Sequence, residues 1–242
     1  MTPAAVTFDF WATLCQDTPT NLERARRMRL DALAGVLAAA GRSFPPAAIA
    51  TAYDRCGEEI AGRFWRANRE PAFRDQVRLC FECLEPGLAG RLETASLDAA
   101  AEGYGEPVLH HAPVLMPGAL EAVRTLAARG VALGIISNTG RTPGFVLRRV
   151  LARWGVLDCF RVITYSDEVG VRKPDGAIFA LTLAALGVPP ARALHVGDNP
   201  RDDVEGARAA GMRAAHYVGD GRPASPEADL VVTDLAELPT RL

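Results

Sequence analysis

Four short segments of this sequence carry residue types that can do chemistry on an anion. In Phe8-Asp9-Phe10-Trp11-Ala12-Thr13 an apolar run gives way to a carboxylate. Such a group at the end of a buried strand is costly to desolvate unless it is paired, hydrogen-bonded or on a metal, so Asp9 needs a partner. In Ile135-Ile136-Ser137-Asn138-Thr139-Gly140 a hydroxyl and backbone N–H groups stand at a strand-to-loop turn, where they can hold an anion. Gly170-Val171-Arg172-Lys173-Pro174 places a lysine just ahead of a proline that starts a helix. Taken singly, these three are also ordinary turns, caps or solvated lysines. The fourth, Val196-Gly197-Asp198-Asn199-Pro200-Arg201-Asp202-Asp203, is less ordinary. Carboxylates this close repel by up to ~4 kcal/mol per pair at about 4 Å and an effective dielectric near 20 unless a cation compensates. Oxygen ligands suit Mg²⁺.

The elements around these segments explain why they belong together. Ala4 to Phe10 reads as a buried strand. From about Asn21 to Leu109 the pattern is helical throughout, with apolar spacing such as Met28, Leu30, Leu33, Val36 and Leu37 and no strand signal. After His111 to Pro117 an alternation begins. Helices are expected over Gly118–Arg129, Pro143–Trp154, Asp175–Leu186 and Asp203–Ala210, and strands over Val131–Ile136, Arg161–Thr164, Ala193–Val196, Arg213–Tyr217 and Leu230–Val232. This order implies right-handed crossovers and a doubly wound parallel α/β sheet, Rossmann-like, interrupted after its first strand by an all-helical insertion. The expected division is a core of residues 1–16 and 112–242 and a helical cap of residues 17–111. An insertion there sits over the C-terminal strand ends, where ligands bind in such sheets, and reads as a lid.

Bulk properties bound the function. With 242 residues, 49% apolar and 23% charged, the chain is an ordinary globular protein. Its formal charge of −2 and pI near 6.1 give no attraction for nucleic acid. There is no basic leader and no apolar run of about 18 residues, so a cytoplasmic protein without a membrane segment is expected. The odd count of five cysteines suits reduced thiols, and Cys80 and Cys83, in CxxC spacing with no further ligand pair nearby, suit helix packing.

In order and in position at strand ends, the four segments resemble the motifs of the haloacid dehalogenase-like superfamily, and the place and helical nature of the insertion match its helical-cap members. The stretch from Gly197-Asp198 through Gly206-Ala207 to Ala210-Gly211-Met212 is especially similar. The resemblance implies a hydrolase in which Asp9 is the nucleophile, attacking phosphorus to form an aspartyl-phosphate. It implies Mg²⁺ held by Asp9, the carbonyl of Trp11, Asp198 and Asp203, and a small anionic substrate met by Trp11, Thr13, Ser137, Asn138 and Lys173. A monomer or homodimer is expected. One position departs from the pattern: phosphatases of the superfamily usually carry a second aspartate two residues after the nucleophile, and here it is Trp11. Losing a placed general acid costs ~10²–10⁴ in rate. Three readings follow: a phosphatase of a small phosphorylated metabolite that finds its proton elsewhere or needs none, a 2-haloacid dehalogenase-type hydrolase, or a binding or transfer protein.

Within the insertion, Arg63, Arg66 and Arg69 recur every third residue and are expected to line one helical face. That face is either solvated or turned toward Asp9 to receive a second anionic group.

Overall fold

The computed structural model describes residues 2–219 and 221–242. The chain opens with β1 (Ala5–Phe8), buried at every residue, and a two-residue β2 (Cys15–Gln16). Five helices follow: α1 (Pro19–Ala39), α2 (Pro46–Arg63), α3 (Phe73–Leu84), α4 (Thr94–Gly105) and α5 (Pro107–His110). Thr18 starts α1, its hydroxyl accepting from Asn21 N at 3.1 Å, with Pro19 in the first turn where its missing N–H costs nothing. The helices then close on their own core around Leu33, Leu37, Tyr53, Cys56, Phe81 and Tyr104. β3 (Val114–Leu115) pairs antiparallel with β2, so the outgoing and returning segments of the insertion lie side by side. This ribbon was not expected from the sequence; two residues per strand leave no periodicity to read.

The remainder alternates. α6 (Ala119–Ala128), β4 (Ala132–Ser137), α7 (Gly144–Arg153), β5 (Phe160–Tyr165), α8 (Ser166–Val169) and α9 (Gly176–Leu186) come first. β6 (Ala193–Gly197), α10 (Gly206–Ala209), β7 (Arg213–Tyr217), β8 (Leu230–Val232) and α11 (Leu238–Arg241) complete the chain. The six long strands form one parallel sheet in the order β5-β4-β1-β6-β7-β8. Its two faces pack against separate apolar clusters. One joins Phe8, Ile135 and Val196 to α6, α7 and α11, and the other joins Ile136 to α9 and α10. Burial on both faces accounts for strands that are apolar almost without alternation. The fold is therefore the expected doubly wound sheet with a helical cap. Because β1 has β4 on one side and β6 on the other, the strand order reverses at β1, and the crevice of such a sheet lies beyond its C-terminal end.

Two boundaries differ from expectation. β1 ends at Phe8 because the chain folds back at once: Leu14 N donates to Phe10 O, and Ala12 takes a left-handed φ of 56°. The helix expected over Asp203–Ala210 is a π-helical turn, Pro200–Glu205, running into α10, with the Asn199 side chain accepting from Arg201 N and Asp202 N. Such turns concentrate at functional sites. Among the described residues no helix is long and apolar enough to cross a membrane. All five cysteines are free thiols, and Cys80 is buried in α3.

Candidate active site

Parallel strands deliver their C-terminal ends to one edge, and there the four segments converge. Asp9 follows β1, Ser137 ends β4, Lys173 follows α8 beyond β5, and Asp198 follows β6. Lys173 Nζ lies 2.9 Å from Asp9 Oδ1 and 2.5 Å from Asp203 Oδ1, with all three side chains almost completely buried. Phe10 N also donates to Asp9 Oδ1, at 2.7 Å, so one oxygen of Asp9 is fixed from two directions.

Asp203 is the most heavily supported member. Besides Lys173, it accepts from His195 at 3.0 Å through Oδ1 and from Asn199 N at 2.9 Å through Oδ2. Burial alone would raise its pKa, but Lys173 and His195 outweigh burial and hold it below the usual carboxylate range. Burial pushes the His195 pKa down despite Asp203. The ring is thus neutral, its Nε2–H donating to Asp203 and its Nδ1 accepting from the Thr7 hydroxyl at 2.9 Å. Gly197 makes room for this arrangement: a Cβ there would lie 2.1 Å from Asp203 Cγ. Lys173 is pulled down by burial and up by Asp203 and Asp9, and the net direction is up, so it stays charged.

Asp9, Asp198 and Asp203 each bring a carboxylate oxygen within 4.8 Å of the others. Asp198 Oδ2 meets Arg222 at 2.8 Å, and its backbone oxygen accepts from His216 Nε2 and Arg222. Even so, burial, Asp9 and Asp203 push the Asp198 pKa up to about 7, and burial raises that of Asp9 against the pull of Lys173. The cluster holds more negative charge than its own cations neutralise. A divalent cation with oxygen ligands fits this donor set.

Two hydroxyls that the sequence assigns to the site are completely buried. Thr13 Oγ1 and Ser137 Oγ have no hydrogen-bond partner of good geometry, although Ser137 lies close enough to Asp9 to favour its charged form. Buried polar groups without partners are rare and ask for an explanation. Asn138, expected to touch substrate, instead accepts from Lys173 N at 2.9 Å and donates to Lys173 O and Asp202, tying the second segment to the third. Trp11 packs edge-on against Phe10 and lines a cavity of about 430 Å³ between cap and core.

The expected single arginine face does not form. α2 ends at Arg63, the next residues make a short 3-10 turn, and Asn68 is left-handed at φ 53°. Arg63, Arg66 and Arg69 are exposed, with Arg63 beside Glu59. The cavity takes Arg29 and Arg141 instead, together with Trp65, Thr139 and Asp17. The cap reaches the core through Glu70. Its buried carboxylate accepts from the Ser166 hydroxyl, Trp65 Nε1 and Gln76, and pairs with Arg172. Backbone bonds from Glu70 N to Gly170 O and from Arg172 N to Asn68 O run alongside. Sequence reasoning missed His195, Glu70, Arg29 and Arg141; of these only His195, a histidine within the apolar run Ala193–Val196, stands out from its neighbours.

Comparison with known proteins gives a consistent set. A haloacid dehalogenase-like hydrolase family model matches residues 3–211. A phosphoserine phosphatase of Thermus thermophilus is 41% identical over 126 residues, spanning 51% of this chain and about half, 49%, of that protein. A phosphoglycolate phosphatase of Pseudomonas putida is 28% identical over 249 residues, spanning 98% of this chain and 78% of the relative. Among solved structures, a 2-haloacid dehalogenase from Pseudomonas syringae pv. Tomato superposes with a TM-score of 0.70 at 27% identity, covering 99% and 97% of the two chains. A HAD phosphatase from Thermococcus onnurineus reaches a TM-score of 0.64 at 27% identity, covering 100% and 97%.

Proposed function

The chain belongs to the haloacid dehalogenase-like hydrolase family, and on that premise we propose that it is a Mg²⁺-dependent phosphatase of a small phosphorylated metabolite, working through an aspartyl-phosphate on Asp9. The observation that carries this reading is the cluster of three carboxylates within 4.8 Å of one another, built around Lys173. We assign the chemistry to residues 1–16 and 112–242 and the covering of the substrate to residues 17–111.

Each role follows from a contact. The ion pair with Lys173 and the hydrogen bond from Phe10 N both fall on Asp9 Oδ1, which orients the carboxylate and leaves Oδ2 to attack phosphorus. Lys173 favours the ionised form of Asp9 against the effect of burial and shares its charge with the transferring oxygens. The hydroxyls of Ser137, beside Asp9, and of Thr13 donate to those same oxygens. Asp9, Asp198 and the Trp11 carbonyl would hold Mg²⁺, with Asp203, fixed by Lys173, His195 and Asn199 N, beside them as a further ligand or as a support through its charge and position. When bound, Mg²⁺ neutralises the repulsion between phosphate and carboxylate and acts as a Lewis acid. Trp11 donates no proton to a leaving oxygen, so substrates with a good leaving group turn over fastest.

The relatives' names support a phosphorylated substrate. A dehalogenase reading draws on the similarity to the 2-haloacid dehalogenase and on Trp11, since halide leaves unprotonated. The surplus of carboxylates argues against it, because attack on a haloacid needs no cation. The test is phosphate release from a panel of phosphate monoesters and an acyl phosphate, with and without Mg²⁺. Metal-dependent release that Asp9→Asn lowers by ~10⁴-fold or more is expected. Release unaffected by that substitution removes the reading, and halide release from short 2-haloacids without metal would replace it.

A further inference from the structure

One carboxylate of the cap is buried against the core and has no part in the chemistry assigned above. Glu70, between α2 and α3, is 3% exposed, and its side chain meets four donors. Oε1 accepts from Trp65 Nε1 at 2.8 Å and from Gln76 Nε2 at 3.3 Å. Oε2 accepts from the Ser166 hydroxyl at 2.9 Å and from Arg172, whose guanidinium lies 4.5 Å from the centroid of the Trp65 ring. A carboxylate offers acceptors alone. A glutamine amide here would turn its N–H groups against other donors whichever way it faced. The backbone is fixed as well. The left-handed turn at Asn68 lays the cap chain alongside the core, so that Glu70 N donates to Gly170 O at 3.2 Å and Arg172 N to Asn68 O at 3.0 Å.

Both core partners of this carboxylate lead into the active site. Arg172 immediately precedes Lys173, which pairs with Asp9 and Asp203. Ser166 gives its one proton to Glu70, because a carboxylate has none to offer, and its oxygen accepts from Thr139 N at 3.0 Å. Thr139 lies two residues beyond Ser137, and Asn138, between them, is bonded to Lys173 N and O. Asn138 thus ties the two loops to each other, and Glu70 ties both to the cap. Apolar contacts would hold a lid at lower cost, since desolvation offsets much of what a buried ion pair gains. What four convergent donors add is a single geometry for the two loops, and a displacement of about 1 Å in reacting groups can cost ~10²-fold in rate.

We propose that Glu70 is a positioning residue of the phosphoryl site, a cap carboxylate that sets the loops carrying Ser137 and Lys173 through Ser166 and Arg172. The statement rests on the reading above in that Ser137 and Lys173 are taken to meet the transferring oxygens; the tie to the loops does not depend on it. The experiment compares the native chain with Glu70→Gln by hydrogen exchange and by steady-state turnover of a phosphate monoester with Mg²⁺. Exchange is expected to quicken about 10-fold or more in residues 138–140 and 170–173, the effect of losing one charge-assisted hydrogen bond, and to stay unchanged in α4 and β7. In the same variant kcat falls about 10²-fold while KM changes by no more than about threefold. Arg172→Lys, which keeps the charge pair, loses less than Arg172→Met in both readouts. If Glu70→Gln does not fold, Arg172→Met is read in the same way on residues 170–173. Unchanged exchange in the two loops, exchange that quickens equally in α4 and β7, or native kcat in the variant overturns the proposal. Metal-dependent phosphate release with unchanged loops leaves the phosphatase standing without this role for Glu70. The expected exchange pattern with no phosphate release from any ester leaves the tie to the loops and removes the phosphatase.

Discussion

The two walls of the active-site cleft are built in opposite ways. On the core side, Asp9, Lys173, Asp203 and His195 are bonded to one another, so each charge has a fixed partner and the geometry is set by strand ends. On the side facing the cap, Arg29 and the core residue Arg141 lean on a hydroxyl, a phenol, carbonyls and an aromatic face, and among the described residues neither stands in an ion pair. A wall whose side chains hold one another in place is preorganised for a transition state that is the same for every substrate. A wall with uncompensated cations is incomplete until a particular ligand arrives, which is where substrate choice resides. Between them Glu70 fastens the cap to Arg172 and to Ser166, whose hydroxyl in turn accepts from Thr139 N in the loop after β4.

If the core wall is framed by its own ion pairs, breaking them has the larger cost. Lys173→Met leaves Asp9 and Asp203 buried without their shared cation, and a stability loss of about 3–5 kcal/mol is expected. Urea unfolding of the metal-free protein measures it, and a loss below about 1 kcal/mol would mean the ion pairs are not the frame of this wall.

Asp198 sharpens the contrast through pH. Its pKa stands at about 7 in the folded protein against 3.8 for the unperturbed group. A raised carboxyl favours the fold when protonated, so this contribution is complete below the unfolded value and is lost as pH rises through the folded one. A cation takes over from the proton. The rise in Tm produced by Mg²⁺ over EDTA therefore grows between about pH 5.5 and about pH 8.5. A rise that is constant over that range contradicts a metal bound at Asp198.

The smallest effect is expected outside the cleft. Charge reversal by Arg66→Glu, on an exposed turn, should change stability by no more than about 0.5 kcal/mol and leave relative rates across the substrate panel unchanged. A changed preference would put the selecting wall on the outer turn of the cap.

Much of the core wall was legible in the sequence because a parallel sheet sends every strand end to one edge: Asp9, Ser137, Lys173 and Asp198 needed only the alternation of strands and helices to be brought together. His195 was not legible, since a histidine inside Ala193–Gly197 looks like a core residue until β1 places Thr7 beside it. The side-chain amide of Asn138, a residue expected to touch substrate, holds the Lys173 loop, a tie that no spacing in the sequence signals. The cap wall was out of reach. Arg29 and Arg141 are 112 residues apart, on a helix and a loop, and only tertiary packing brings them to one cavity. The regular spacing of Arg63, Arg66 and Arg69 was misleading for a local reason: the helix ends at Arg63, so the period has no face to act on.

The most direct test of the account is rapid quenching of the native protein with a phosphate monoester that it turns over, followed by mass analysis of the peptide containing Asp9. A phosphoryl group is expected on Asp9, forming only with Mg²⁺ present and disappearing as substrate is exhausted. Turnover with an unmodified Asp9 at every quench time, and with the phosphoryl group trapped elsewhere, would contradict it.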